Sequence, residues 1–347
     1  MLFVAALLPI AIYIFVVYQI DNFSLVSINR LLQLIGCGIL TALVCFGIFK
    51  LTGQILSENQ SDYINPVVEE IVKGIPLLIL ATRKKIVFYI DSVICGAAVG
   101  AGFSILENLF YLLLGDGAAI GTMLFRGLEV ALIHIGCSAI VGVSFMLCVR
   151  LLLRYRTKLH VNRKDVVMAL LLLVIAPVLH VCHNTFHFNP LLQFVCVFGS
   201  MGGLLAWIFT YDVDMIHSWL DTGLDKQLSL LNSIKKGELD DTPTGKFLES
   251  VKDAFPLEVF MDIICYVQLH IELSVAAKSR VMLKEAGLEQ ELPITDEKKE
   301  WIIAQCIEYK ELEKRLGSAA RMTIAPLIKT HPADYKALED LKRDIKQ

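Results

Sequence analysis

Seven long apolar runs, at roughly residues 2–20, 31–52, 64–81, 86–114, 119–150, 165–187 and 190–210, constrain this chain more than anything else in it. A helix needs about twenty apolar residues to cross the hydrocarbon of a bilayer, and each run is near or above that length. Inside a bilayer no water satisfies backbone amides, so such runs are stable there as helices. The expected fold is all-α: a polytopic membrane helix bundle of about seven transmembrane helices over residues 1–211, followed by a small helical cytosolic domain over 212–347. The composition agrees, with 55% hydrophobic residues, 19% charged residues and a mean hydropathy of +0.61. A net charge of −3 shows no basic excess, which argues against nucleic acid as a partner and leaves membrane lipid as the surrounding medium.

The first run has no Lys or Arg ahead of it and no small-residue cleavage site after it, so it reads as a retained span. Nine cysteines are scattered singly, with no CxxC pair, and read as reduced packing residues rather than a disulfide frame or zinc knuckle. Basic residues orient the spans. Arg83, Lys84 and Lys85 fill one connection, and Arg150, Arg154, Arg156, Lys158, Arg163 and Lys164 crowd another, so both are expected on the cytoplasmic side. The connections at Glu58 to Asp62, at Asp116, and from Phe188 to Pro190 are almost free of basic residues and are expected outside. The N-terminus then lies outside and the C-terminus in the cytoplasm.

Against this apolar background, Glu69, Glu70, Lys73, Glu107, Asn108, Arg126, His134, His180 and Asn184 stand out. A charged side chain near the bilayer centre costs about 2.5 to 3.5 kcal/mol on insertion scales, so several of them must pair around a wet cavity. The orientation places Glu69, Glu70, Glu107 and His180 in the outer half of the membrane, with His134 deeper. Glu69 and Glu70 lie four and three residues before Lys73, within one helical turn of its ammonium. Two acids beside one cation leave one carboxylate without a full partner, a candidate general base.

Glu107 is followed by Asn108, which could hold the carboxylate, and Arg126 could pair with Glu129 three residues on. His134 has no acid within a turn and must look to another helix. His180 and Asn184 share a face at four-residue spacing and suit a pair of donors to an oxyanion. His183 and His187 lie within reach of one another, and His187 reads as interfacial. Gly96, Ala97, Gly100, Ala101 and Gly102 form a stripe of small residues that lets a neighbouring helix approach closely just before Glu107.

Taken in order, EExxK (Glu69 to Lys73), FxxxEN (Phe103 to Asn108), Arg126 followed by HxxxxxxxG (His134 to Gly142) and HxxxN (His180 to Asn184) resemble the PrsW family of intramembrane proteases. The wider clan contains the CAAX prenyl proteases and the bacteriocin-immunity Abi proteins. The resemblance covers most of residues 1–210. It implies a polytopic endopeptidase that cuts single-pass membrane proteins, notably anti-sigma factors, near the extracytoplasmic face.

In that setting Glu69 would be the base that activates water, Glu70 and Lys73 would tune it, and His180 with Asn184 would stabilise the oxyanion. The CAAX branch carries His where this chain has Glu107, which makes His134 the candidate replacement. A zinc site from Glu107, His134 and His180, with a Glu of the first motif, is compatible with the same residues; no HExxH fixes it, and a metal-free mechanism stays open beside it. Two readings from other classes are a proton-coupled transporter using Glu70, Glu107 and His134 as a relay, and a non-catalytic scaffold.

Beyond Asp212 charge rises. Amphipathic stretches near 245–286, 296–316 and 332–345 predict helices, with Gly317 a C-cap and Pro332 a first-turn residue. Glu258, Asp262 and Glu272 argue against a further span at 255–277. The tail lies outside the resemblance, which suggests a cytosolic regulator as its partner.

Overall fold

In the computed structural model the chain is described over residues 1–347 except 20, 22–25, 54–56, 115–118, 157–160, 187–188, 239–241, 289–290, 325–331 and 347. Asp116, Lys158, His187 and Phe188 therefore lie outside the described residues. The described residues form helices and no strand, and they divide into two compact units, Met1–Val213 and Asp214–Gln347.

The first unit contains α1 (Leu2–Gln19), α2 (Ile28–Thr52), α3 (Glu58–Thr82), α4 (Tyr89–Leu114), α5 (Ile120–Phe125), a π-helical turn (Arg126–Val130), α6 (Ala131–Arg156), α7 (Arg163–Thr185) and the first part of α8 (Pro190–Lys236). Local chemistry starts several of these. At α3, Ser57 and Gln60 form a capping box in which the Ser57 amide donates to Gln60 Oε1 at 3.1 Å. Asn162 caps α7 by accepting from the Lys164 amide at 3.0 Å. Ahead of α4 the amides of Val87 and Phe88 donate to the buried Asp91 carboxylate.

Helix α4 lies at the centre, packed against α1, α2, α3 and α6, and α6 in turn packs on α3 and α7. The small-residue stripe explains this. A methyl group on Gly96 or Gly100 would collide with the backbone of α6 at Ser138 and His134, and one on Gly102 would collide with Ile35 of α2. Gly142, at the end of the third motif, faces the Ser92 carbonyl of α4, 2.8 Å from where a Cβ would sit. Two apolar clusters fill the remaining space: Ile10, Ala97, Ala101, Ala131 and Ile135 join α1, α4 and α6, and Ala42, Cys45, Val72 and Phe103 join α2, α3 and α4.

Among the described residues seven helical segments are long and apolar enough to cross a membrane: Leu2–Gln19, Ile28–Thr52, Tyr89–Leu114, Ile120–Arg156, Arg163–Thr185, Leu191–Ile208 and Leu257–Glu285. The chain is a multi-pass membrane protein. The membership differs from the sequence expectation in two places. Helix α3 falls short by composition because Glu69, Glu70 and Lys73 interrupt its apolar run. Leu257–Glu285 qualifies by length and composition although it carries Glu258, Asp262 and Glu272.

The second unit contains the remainder of α8, then α9 (Pro243–Lys252), α10 (Leu257–Glu285), α11 (Asp296–Ile324) and α12 (Pro332–Lys346), with α10 packed on both α11 and α12. The single amphipathic stretch predicted over 245–286 is two helices here, parted at residues 253–256, where Pro256 precedes α10. Gly317 does not end α11 but breaks it: its φ of 66° and ψ of −178° are open to glycine, and helix resumes beyond. Pro332 opens α12 as its first residue, where a missing N–H costs nothing. Leu248, Phe260, Ile263, Leu269, Leu312 and Leu316 form the core. A buried polar group sits beside it, with Trp219 Nε1 donating to Asp334 at 3.1 Å and Lys278 Nζ 3.4 Å from the same oxygen.

Candidate active site

Four helices and one turn deliver the polar residues to a common place. Helix α3 brings Glu69, Glu70 and Lys73, and its Pro66 and Pro76 flank them, each removing one helical hydrogen bond. Helix α4 brings Glu107, the π turn Arg126 and Glu129, α6 His134, and α7 His180 and His183. Glu70, Lys73, His134 and His180 are buried, with Lys73 at 0% exposure.

The contacts form one connected network. Glu70 Oε1 accepts from Lys73 Nζ at 2.5 Å and from His180 Nδ1 at 2.9 Å. His134 Nε2 bonds to Glu107 Oε2 at 2.8 Å, and Glu107 Oε1 lies 3.2 Å from the Arg126 guanidinium, which stacks 3.6 Å over the Tyr111 ring. Lys73 Nζ is 3.0 Å from His134 Nδ1 and 4.6 Å from the centre of the Phe103 ring. The two imidazoles meet edge to face, their centres 4.8 Å apart.

These partners fix the tautomers. An ionised carboxylate can only accept, so His134 carries its proton on Nε2, towards Glu107, and His180 carries its proton on Nδ1, towards Glu70. The neutral rings then leave lone pairs at His134 Nδ1, which faces Lys73 Nζ at 3.0 Å, and at His180 Nε2, and Glu69 Oε2 lies 4.0 and 3.7 Å from these two nitrogens. Glu69 Oε2 is itself buried and has no hydrogen-bond partner. Three acceptor atoms from three helices thus converge, and among the described residues Lys73 supplies the ammonium beside them.

That donor set suits a metal ion. The converging atoms of Glu69, His134 and His180 lie within 4.8 Å of one another. A tetrahedral ion with bonds of about 2.1 Å sets its ligands about 3.4 Å apart, so the 3.7 and 4.0 Å separations need to close by about 0.3 and 0.6 Å, and the two histidine nitrogens, within 4.8 Å of one another, need to draw in as well. Each imidazole has its other nitrogen held by a carboxylate from a different helix, the support metal-binding histidines regularly have. An ion here would take the place of the Lys73 ammonium at His134 Nδ1.

Several sequence expectations find different partners. Glu107 is not in the converging set, because its two oxygens are taken by His134 and Arg126; the two histidines are joined there by Glu69, a Glu of the first motif as expected. Asn108 does not hold Glu107. It is buried on another face of α4 and donates to the Ala6 carbonyl of α1 at 3.1 Å. Arg126 pairs with Glu107 rather than Glu129 through a terminal nitrogen, and its Nε is a buried donor without a hydrogen-bond acceptor.

Glu129 bonds instead to His183 Nε2 at 3.1 Å, and His183 Nδ1 bonds to Asn184 Oδ1 at 3.2 Å, so Asn184 is joined to His183 rather than His180. Sequence reading had no reason to select the Glu129–His183 pair. The π turn that contains Glu129 shifts the helical phase ahead of α6, and no spacing rule for an ordinary helix anticipates that.

The fold and site together are a helical membrane bundle that gathers acids and imidazoles about one buried point. A family model described as PrsW family intramembrane metalloprotease matches residues 27–211, just over half of the chain. The chain belongs to that family and is an intramembrane protease. No curated protein and no solved structure matches it.

Proposed function

We propose that this protease hydrolyses a peptide bond of a single-pass membrane protein, such as an anti-sigma factor, at or just inside the extracytoplasmic face. The observation that carries the reading is the convergence of Glu69 Oε2, His134 Nδ1 and His180 Nε2 on one point. Zinc is the ion that this set of one carboxylate and two imidazoles would favour, with Glu69, His134 and His180 as its ligands. When bound it would lower the pKa of a coordinated water and polarise the scissile carbonyl.

The chain's own residues do the rest. The Glu69 side chain keeps 12% exposure; with Oε2 at the point of convergence, its other oxygen, Oε1, takes the proton of the attacking water and passes it to the leaving amine. Glu70, tied to Lys73 and His180, is a poor base and holds the His180 ring in place. Glu107 does the same for His134. The Arg126 Nε–H and the Asn184 amide are the donors available to the oxyanion of the tetrahedral intermediate. The N-terminus lies outside and the C-terminus in the cytoplasm, which opens the site outward.

The test uses purified full-length protein, metal analysis, and a fluorescently tagged reporter carrying an anti-sigma factor transmembrane segment. One zinc per chain and a cut mapped by mass spectrometry to the outer half of the segment are expected. A cut in the cytoplasmic half, or full cleavage by protein stripped of all metal, would overturn the orientation or the ion respectively.

A further inference from the structure

The π turn that carries Arg126 and Glu129 is held from outside the family-matched region, by α1. In that turn the Ala131 amide reaches back five residues to the Arg126 carbonyl, which widens the helix and loosens its hydrogen-bond ladder. The Tyr13 hydroxyl donates to the Leu128 carbonyl at 3.0 Å. Gly127 faces the Ala5 carbonyl, only 2.7 Å from where a Cβ would sit, so the α1 backbone lies directly against the turn. Asn108 on α4 fastens the same stretch of α1 through the Ala6 carbonyl. Leu7, Ile10, Tyr13 and Ile14 pack with Ala97, Ala101, Ala131 and Ile135 beneath it.

Both arms of the active site leave from this turn. Arg126 runs to Glu107 and on to His134. Glu129 runs to His183 and on to Asn184. An ordinary α-helical turn would advance the phase by about 100° per residue and could not keep these two side chains on their present partners with His134 also facing inward.

We infer that Tyr13 is a positioning residue for catalysis, acting through the π turn to aim Arg126 and Glu129. The inference rests on the peptidase reading for its kinetic consequence, but the mechanical part stands without it. Tyr13→Phe removes one hydroxyl and keeps the ring in its packing. Loss of one hydrogen bond of this kind, expressed at the transition state, lowers kcat about 3- to 10-fold on the tagged reporter, with KM within about twofold of wild type. In an Arg126→Gln, Glu129→Gln background the same change lowers kcat less than about twofold, because the groups it aims are gone. A merely structural role would lower kcat by the same factor in both backgrounds.

Hydrogen–deuterium exchange of the full-length protein in detergent needs no substrate. Exchange over residues 123–135 should quicken in Tyr13→Phe, while residues 163–185 keep the wild-type rate. Unchanged exchange over 123–135 overturns the inference whatever the kinetics, and quickened exchange with unchanged kcat overturns the positioning role. A wild-type protein that cuts no reporter defeats the proposed substrate class, leaving exchange to decide whether Tyr13 holds the turn.

Discussion

Glu69 and Glu70 are neighbours in the chain with opposite roles in the site, because helical geometry turns them about 100° apart. Glu70 meets a cation and an imidazole proton; Glu69 Oε2 meets two lone pairs. The doublet and its lysine were legible in the sequence as a local unit, since spacings of three and four residues fix contact on a helix. Which acid would be tied down was not, because the deciding partner, His180, comes from α7. The same holds for Glu107 and Asn108, whose partners lie on α5–α6 and α1. Lys73 is the fully buried cation on which Glu70 depends, so Lys73→Met leaves a buried carboxylate short of its main counter-charge. The expected cost is about 3 kcal/mol or more, read as a large fall in the thermal midpoint in detergent, and a midpoint unchanged from wild type would contradict this assignment.

At the scale of elements, the apolar runs predicted helices whose ends agree with the structure to within a few residues over α1, α2, α4 and α7. The exceptions have physical causes. Helix α3 carries too much charge to pass as a span by composition, and it is the helix that brings three of the site residues. The π turn is invisible to a periodicity argument. The glycine stripe was legible as a close-packing surface, but its two partners were not: Gly100 meets the α6 backbone at His134 itself, and Gly102 meets α2. A methyl at Gly100 therefore pushes α6 away at His134, whereas Gly36 of α2 has nothing within 4 Å of a Cβ. Gly100→Ala should cost at least tenfold in cleavage rate and lower the thermal midpoint. Gly36→Ala should leave cleavage unchanged and be neutral or stabilising by about 0.5 to 1 kcal/mol. Equal behaviour of the two variants would show that the α4–α6 approach does not set the geometry of His134.

For the whole molecule, residues 27–211 carry the family match, while α1 and the second compact unit lie outside it. Helix α1 nevertheless braces the site, through Tyr13, Ala5 and Ala6, so the catalytic bundle extends beyond the matched region at its N-terminal side. The buried polar groups of the site are costly in a bilayer, and Glu70, Lys73, Glu107, His134 and His180 offset that cost by pairing with one another. The most direct test is single-turnover cleavage of the tagged reporter by purified wild-type protein and by Glu69→Gln, which keeps the side chain's size and removes its charge. The account predicts a fall of at least about 1,000-fold at unchanged reporter binding and an unchanged thermal midpoint, in line with loss of a principal catalytic group. A Glu69→Gln protein that cuts within tenfold of the wild-type rate would contradict it.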